Sequence, residues 1–494
     1  MKDVLSVENM RKSDAYTISQ GTSGTELMMR AARGIFENVS WKGPVGIVCG
    51  SGNNAGDGYA LASIFFDEKI DCDIIIMKER FTSDAKYYYD MCVSKGVNII
   101  VWNDDLNLNR YRMIVDCILG TGFSGKLRED AADVIEAINA SKAYIVSADI
   151  NSGLGGDNGM CDLCVRSDIT VAIGGYKPGH FLNMAKDVMA KRINCDIGIK
   201  PLESPYRLIE DCDMKDALGV RANYSNKSAY GYVALIGGSK RYSGAIRLAY
   251  MGNAAMRSGA GVVKLAVADS LYETVAANVL ESTIFPMPDN DGEIIFDEKK
   301  TDELVSNVKT VAFGMGIGVT EETELLLLHL LDSYDGKLIV DADGLTILSR
   351  IEPEKIRNTK SKLILTPHMK EFSRLTGLSI KEILNDPIGE AKKYAKEFEC
   401  ILLLKGPSTI VTDGETVYIT DAGCAGMATA GSGDVLSGVL SAVCSYVEDT
   451  LLATVTGAHI AGRAGEMAGE KLSQISMIAS DTVSFIPQVL ISFS

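Results

Sequence analysis

At 494 residues the chain is longer than one ordinary hydrophobic core organises, so two domains are expected. With 46% hydrophobic and 23% charged residues it reads as a soluble globular protein, and a formal charge of −16 argues against nucleic acid, which calls for clustered Lys and Arg. No apolar run reaches the roughly 18 residues of a membrane span, and the polar start predicts no signal peptide, so a cytoplasmic protein is expected. The 11 cysteines, an odd number and mostly scattered, predict reduced thiols.

From Val45 onward, short β-rich runs alternate with helical patterns. Val45–Cys49, Asp73–Met77, Asn98–Trp102, Met113–Cys117, Tyr144–Ala148 and Ile169–Ile173 read as buried strands. The intervening segments are long enough for crossover helices, which predicts a doubly wound α/β domain with a parallel sheet. Residues 50–58 read GSGNNAGDG, after a strand and at the start of a helix. They fit the loose dinucleotide fingerprint, but the acid that fingerprint wants at the end of the second strand is missing, Asp71 and Asp73 falling at its beginning. The paired asparagines and Gly-Asp-Gly add side-chain ligands to a backbone cradle; the alternative is a tight strand–helix turn.

Two more loops fall at predicted strand ends, Asp116–Lys126 (DCILGTGFSGK) and Asp149–Leu154 (DINSGL). Three such loops on one parallel sheet predict a pocket. Cys161 and Cys164 have metal or redox spacing, but with only four histidines in the chain and no second pair they are expected to be small buried residues at a strand edge.

Together with Tyr176-Lys177-Pro178-Gly179-His180, these loops resemble the NAD(P)H-hydrate epimerase domain over about residues 1–205. The resemblance implies a damaged nicotinamide cofactor contacted by Asn53, Asn54, Ala55, Gly56 and Asp57 and by Gly120, Thr121, Gly122, Phe123, Ser124, Gly125 and Lys126. It also implies Asp149 as the catalytic carboxylate, and a potassium ion on Asn54, Asp116 and Ser152, whose oxygens suit a hard cation. Ala55 stands where the family usually has glycine, which a negative φ tolerates. Asn151 replaces the usual proline, which predicts a looser turn next to Asp149.

Around Lys200–Ala229 the periodicity lapses into charge and turn formers, predicting a linker at 206–228 and a second domain over 229–494. Its expected strands include Tyr232–Ile236, Val262–Val267, Thr310–Phe313, Leu338–Val340, Leu363–Leu365 and Ile401–Leu404, with a helix from Glu321 to Leu331 whose Leu325–Leu328 are expected in the core rather than on a partner surface. Residues 423–438, GCAGMATAGSGDVLSG, place five glycines and one carboxylate, Asp434, at the start of an apolar helical run. Small residues let the backbone approach a ligand, and free N–H groups at a helix start attract anions. An aspartate in such an anion site suits a base in phosphoryl chemistry.

Further motifs precede it: Gly237-Gly238-Ser239, Tyr242–Ala245, Gly314–Gly318, Asp341–Leu345, Thr366–Phe372 and Lys405–Thr409. In this order they resemble the ADP/ATP-dependent NAD(P)H-hydrate dehydratases, which have a ribokinase-like fold, over about residues 215–494. The resemblance implies that Ala245, Gly316, His368 and Asp434 contact the hydrated nicotinamide nucleotide, and that Lys405, Gly406, Pro407, Ser408, Thr409 and Gly433 hold the adenine nucleotide, accompanied by magnesium. From the residues alone, His368 could be a capped turn beside Pro367, and Asp341 and Asp343 either cap the next helix or face the site.

The whole chain is thus expected to be a bifunctional repair enzyme. One domain would epimerise R- and S-NADHX and NADPHX, and the other would dehydrate the S form with ADP. The alternative is a small-molecule kinase that shares the Asp434 anion site, joined to a binding or scaffold domain. A homo-oligomer without nucleic-acid or membrane partners is expected.

Overall fold

The computed structural model describes residues 1–250, 254–277 and 279–493. The chain forms two compact units, Asp3–Tyr206 and Arg207–Ser494, with Met1–Lys2 assigned to the second.

The first unit contains a seven-stranded sheet in the order Asn98–Val101, Cys72–Ile76, Val45–Cys49, Met113–Cys117, Tyr144–Ala148, Ile169–Ile173 and Arg192–Cys195, parallel throughout. Successive strand residues point to opposite faces, and both faces are covered. Ile47, Ile74, Ile76 and Val115 pack with Leu27, Ile35, Tyr59 and Phe65 from helices Gly24–Asn38 and Asn53–Asp67. On the other face, Val48, Ile75 and Ile114 pack with Val134, Ile135 and Ile138 of helix Glu129–Ala140. Covering both faces explains why these strands read as continuous apolar runs. Each large apolar side chain contributes about 1.5–3 kcal/mol by its burial. The strand Arg192–Cys195 escapes the sequence pattern because an edge strand with a half-buried Arg and an exposed Asn carries no such run.

The second unit's sheet runs Tyr206–Ile209, Val417–Thr420, Thr409–Thr412, Ile401–Leu404, Lys362–Leu365, Lys337–Val340, Thr310–Met315, Tyr232–Gly237, Val262–Ala268 and Thr283–Met287. It is parallel from Ile401–Leu404 to Thr283–Met287, but Thr409–Thr412 pairs antiparallel with both its neighbours. Two expectations need correction. The stretch 206–228 is no bare linker: Arg207, Leu208 and Ile209 pair with Tyr418, Ile419 and Thr420, and Met214–Leu218 is helical. Its few apolar residues, Leu208, Ile209 and Met214, are buried, too sparsely spaced to show as periodicity. In helix Glu321–Ser333 the leucine run is not uniformly core, since Leu326 and Leu327 are buried while Leu325 is 47% exposed.

Helix Ser432–Tyr446 packs closely on helix Ser243–Tyr250. A Cβ on Gly438 would lie 2.1 Å from the Ala249 carbonyl oxygen, a backbone atom that cannot swing aside. Gly438→Ala is therefore expected to destabilise the second unit by roughly 1–3 kcal/mol, in the range of overpacked cores. A lowered urea midpoint for that unit's transition would bear this out, and an unchanged one would refute the close packing.

Candidate functional sites

In the first sheet the strand order reverses between Val45–Cys49 and Met113–Cys117, the place where doubly wound folds open a crevice beyond the strand ends. Four loops leave neighbouring strands there. Gly50 is needed for the approach: a Cβ on it would meet the Ile118 carbonyl oxygen at 2.1 Å. Asn53 begins the following helix and is exposed, whereas Asn54, Ala55 and Gly56 are buried and Asp57 is half-buried. Ala55 has an ordinary helical backbone, so the missing glycine costs nothing.

Asn54 Nδ2 donates to the Leu119 carbonyl at 3.0 Å, and its Oδ1 is buried without a partner. The Ser152 hydroxyl reaches the same Leu119 carbonyl at 3.1 Å and Asp116 Oδ1 at 2.5 Å. Asp116 also accepts from the N–H groups of Ile118 and Ser152 and from the Ser147 hydroxyl. Burial nonetheless pushes its carboxyl above the ordinary aspartate range. The three expected cation ligands are thus gathered around Leu119 and offer oxygen only.

Asp149 follows the strand Tyr144–Ala148 with φ 64°, a left-handed backbone that aspartate tolerates better than most residues. Its Oδ2 accepts from the Thr121 N–H at 3.1 Å and the Thr121 hydroxyl at 2.9 Å, and its Oδ1 from Lys177 Nζ at 2.6 Å. Lys177 is 1% exposed and donates also to the Ile173 carbonyl at 2.8 Å. Burial opposes the Asp149 charge, but the Lys177 ammonium and the Thr121 N–H outweigh it and hold the carboxyl below the ordinary range. His180, pushed down to about 4 by burial and by Lys177, is neutral near pH 7. Its Nε2 lies 2.7 Å from the Asp149 carbonyl, and its Nδ1 accepts the Lys177 N–H at 2.9 Å.

Asn151 overturns the expectation of a looser turn. It is fully buried, and its Nδ2 donates to the carbonyls of Val165 and Val188 and to the Ser167 hydroxyl. Its Oδ1 accepts from the hydroxyls of Thr170 and Ser167. The amide pins the turn by side-chain bonds where a proline would restrict φ. Of the glycine loop, Gly120 and Thr121 meet Asp149, whereas Gly122, Ser124, Gly125 and Lys126 are exposed and Phe123 is half-buried. Cys161 and Cys164 are free thiols, the second of them buried.

The motifs of the second unit leave the carboxyl ends of five neighbouring parallel strands, from Tyr232–Gly237 to Ile401–Leu404. Gly316, at φ 63°, lies against Ala245: a Cβ there would be 2.8 Å from the alanine Cβ. Asp341, 1% exposed, accepts from Lys405 Nζ at 2.9 Å and from the Ser437 hydroxyl at 2.8 Å, and so does not cap the next helix. Asp343 accepts the Gly318 N–H at 3.0 Å. A Cβ on Gly433 would fall 3.5 Å from Asp341 Oδ2 and 3.7 Å from Lys405 Nζ, which places the glycine-rich turn on this pair. Burial opposes the Lys405 charge, but Asp341 and Glu371 outweigh it and hold the ammonium above its usual range.

Asp434 lies in the first turn of helix Ser432–Tyr446, behind Gly431 at φ 91° with no side-chain cap. Helix geometry leaves the N–H groups of Gly433 and Asp434 without partners inside the helix. Burial, then the charge of Asp341, pushes the Asp434 carboxyl up to about 7 against the pull of Lys405. His368 caps helix Met369–Thr376, its Nδ1 accepting from the N–H groups of Lys370 and Glu371. The capped-turn reading therefore describes Nδ1, while half of the side chain stays exposed. Gly406 and Pro407 are exposed, the Ser408 hydroxyl donates to Asp421 at 2.7 Å, and Thr409 begins a strand.

Sequence reasoning assigned no role to Lys177, Asn151 or Ser437. Lys177 carried a signal, since its motif follows a predicted strand end beside the other three loops.

A family model described as NAD(P)H-hydrate dehydratase matches residues 233–488, and one described as YjeF-related protein N-terminus matches residues 24–179. The chain is 31% identical over 463 residues to a bifunctional NAD(P)H-hydrate repair enzyme of Moorella thermoacetica, covering 90% of this chain and 87% of that one. It is 30% identical over 502 residues to the enzyme of that name from Archaeoglobus fulgidus, covering 99% of each. Among solved structures, the ADP/ATP-dependent NAD(P)H-hydrate dehydratase of Bacillus subtilis, co-crystallized with ATP/Mg2+, is similar with a TM-score of 0.52 and 26% identity, covering 58% of this chain and 99% of that one.

Lys177→Met would leave the buried Asp149 charge without its counter-charge, at an expected cost of about 3–5 kcal/mol. Lys396→Met breaks a pair with Glu415 that is 71% exposed on both sides and should leave stability almost unchanged, since water screens exposed pairs. Urea unfolding of the two variants compares them, and equal midpoints would contradict the role given to the Lys177 pair.

Proposed function

The chain belongs to the bifunctional NAD(P)H-hydrate repair enzymes, and we propose how its two units divide the repair of damaged nicotinamide cofactors. The first interconverts the R and S epimers of NADHX and NADPHX at Asp149. The second dehydrates the S epimer at Asp434, with ADP as phosphoryl donor and AMP and phosphate as further products. The observation that carries this reading is Asp434: a carboxyl pushed up to about 7, beside unpaired helix N–H groups and Lys405. Such a group is suited to take a proton next to phosphate.

The substrate hydroxyl sits on C6 beside the ring nitrogen N1, as a hemiaminal. Asp434 removes the hydroxyl proton as the terminal phosphoryl of the nucleotide moves to that oxygen. The helix N–H groups and Lys405 offset the growing negative charge. The N1 lone pair then expels the phosphate to give an N1=C6 iminium, and loss of a C5 proton to solvent forms the C5=C6 bond and restores the dihydropyridine. Gly316 and Ala245, packed together, would border the nicotinamide end, with His368 at its side.

Two ions complete the reading. Asn54, Asp116 and Ser152 would hold potassium, which supplies positive charge at the epimerase loop; the unpartnered Asn54 Oδ1 is the vacant acceptor such an ion needs. Magnesium would arrive with the nucleotide and neutralise phosphate charge rather than sit in an all-protein cage; among the described residues no group of three His, Cys, Asp or Glu side chains could hold a metal ion. We take the protein to be a cytoplasmic homo-oligomer that engages neither nucleic acid nor membrane. Among the described residues no helix is long and apolar enough to cross a membrane.

Incubation with S-NADHX and ADP should restore NADH absorbance, and Asp434→Asn should abolish the recovery. Because burial raises the Asp434 pKa, its basic form is scarce below about 7, so kcat/KM for dehydration should rise with pH through that value. A stable phosphorylated product, or a flat profile, would favour an ordinary kinase. Asp149→Ala should stop consumption of the R epimer while S dehydration continues; unchanged R consumption would remove Asp149 from the chemistry.

A further inference from the structure

We propose that Asp57 is the proton donor of the epimerase site, and that Asp149 stays an anion which stabilises the cationic ring formed when the C6 hydroxyl leaves. This division of labour rests on the epimerase reading of the first unit.

Asn54 and Asp57 are three residues apart in helix Asn53–Asp67 and so share one side of it. That side meets Asp149 across Gly120: a Cβ on Gly120 would lie 3.4 Å from Asn54 Cβ and 3.2 Å from Asp149 Oδ2. The residues flanking Asp57 point elsewhere. A Cβ on Gly56 would strike Met28 and Ala85, and one on Gly58 would strike Cys49 and Cys117. Asp57 is thus the titratable side chain that the helix turns toward the crevice.

The two carboxylates differ in their partners. Asp149 accepts from Lys177 Nζ and from two Thr121 donors, whereas Asp57, half-buried, makes no hydrogen bond or ion pair among the described residues. The other groups around Asp57 give it no help. Lys177 is committed to Asp149 and the Ile173 carbonyl, and the Tyr88 hydroxyl donates to the Thr25 carbonyl at 2.7 Å. Asp14, on helix Val7–Ser19, adds negative charge, and His180 is neutral near pH 7. One ammonium thus faces three carboxylates and is committed to one of them. Burial, then the charges of Asp149 and Asp14, raises the Asp57 carboxyl well above the ordinary range, while Asp149 is held below it. Two carboxyl groups whose environments push them apart separate into an acid and an anion.

The step balances without a further reactant. Asp57 gives its proton to the C6 hydroxyl, the C6–O bond breaks, and the N1 lone pair forms an N1=C6 iminium as water leaves. Water adding to the opposite face of C6 makes the new C6–O bond. The proton it sheds returns through solvent to the Asp57 carboxylate. Asp149 faces the iminium charge and need not change protonation.

The test is interconversion of separated R- and S-NADHX by the full chain without nucleotide, comparing wild type with Asp57→Asn and Asp57→Glu. Asn keeps the shape and removes the proton. We expect kcat to fall about 10²–10⁴-fold, the range of general acid catalysis, with KM changed far less. Since the acid form is lost as pH rises, wild-type kcat/KM should decline at alkaline pH, and Asp57→Asn should lose that decline. Glu should recover part of the rate. Asp57→Asn with wild-type kcat, or with a loss confined to KM and the alkaline decline intact, overturns the proposal. Should Asp57→Asn misfold, the ¹³C carboxyl signal of Asp57 in the wild type decides instead: a protonated group at neutral pH supports the proposal and an ionised one overturns it. A wild-type chain that does not interconvert the epimers refutes the epimerase reading itself, and is thereby distinguished from failure of the Asp57 assignment.

Discussion

In each unit a lysine beyond the end of a parallel strand is held by a carboxylate, the buried Lys177 by Asp149 at 2.6 Å and the half-buried Lys405 by Asp341 at 2.9 Å, with Glu371 3.8 Å away. Taking such charges out of water is costly, and only close pairing offsets it. The consequence falls on a third group. With the lysine engaged, a second carboxyl in the same site, Asp57 in one unit and Asp434 in the other, is raised by burial first and then by the negative charge beside it. A carboxyl raised in this way holds its proton at a pH where an ordinary solvated aspartate is a fixed anion.

The parallel sheets make this arrangement possible. Strands that all point one way deliver all their following loops to one end, so residues far apart in the chain converge. Asp149 and Lys177 are separated by 28 residues and Asp341 and Lys405 by 64, yet each pair closes across strand ends. Glycine at the meeting points sets the distance. Gly50 lets its loop lie against Ile118, and Gly237 lets its own lie against Met315, where a Cβ would be 2.5 Å from the carbonyl oxygen. Both glycines sit where the strand order reverses, which ties the topology of each sheet to the position of its crevice.

The sequence pattern reads well where one segment decides its own structure. Val45–Cys49, Met113–Cys117, Tyr144–Ala148 and Ile169–Ile173 form strands at the expected residues, because burial on both faces demands continuous apolar runs. It reads poorly at edges and for antiparallel additions. Arg192–Cys195 and Tyr206–Ile209, which carry Arg and Asn, are completed as strands by pairing with Ile169–Ile173 and Val417–Thr420. Asn151 is the sharpest case. Judged beside its neighbours it looked like a loosened turn, but its amide is satisfied by Val165, Ser167, Thr170 and Val188, and no local pattern announces those partners.

The glycine-rich run before Asp434, the asparagine loop after the first strand and their order along the chain are properties of the sequence alone. They were enough for phosphoryl chemistry, the two-domain α/β architecture and the family. The protonation of the acidic groups belongs to the tertiary structure. Asp57, Asp149 and Asp434 are the same residue type in the sequence, and what separates them is how deeply each lies and which one a lysine reaches. Desolvation and Coulomb interaction depend on distances of a few ångströms between groups many residues apart, and only the folded chain sets those distances.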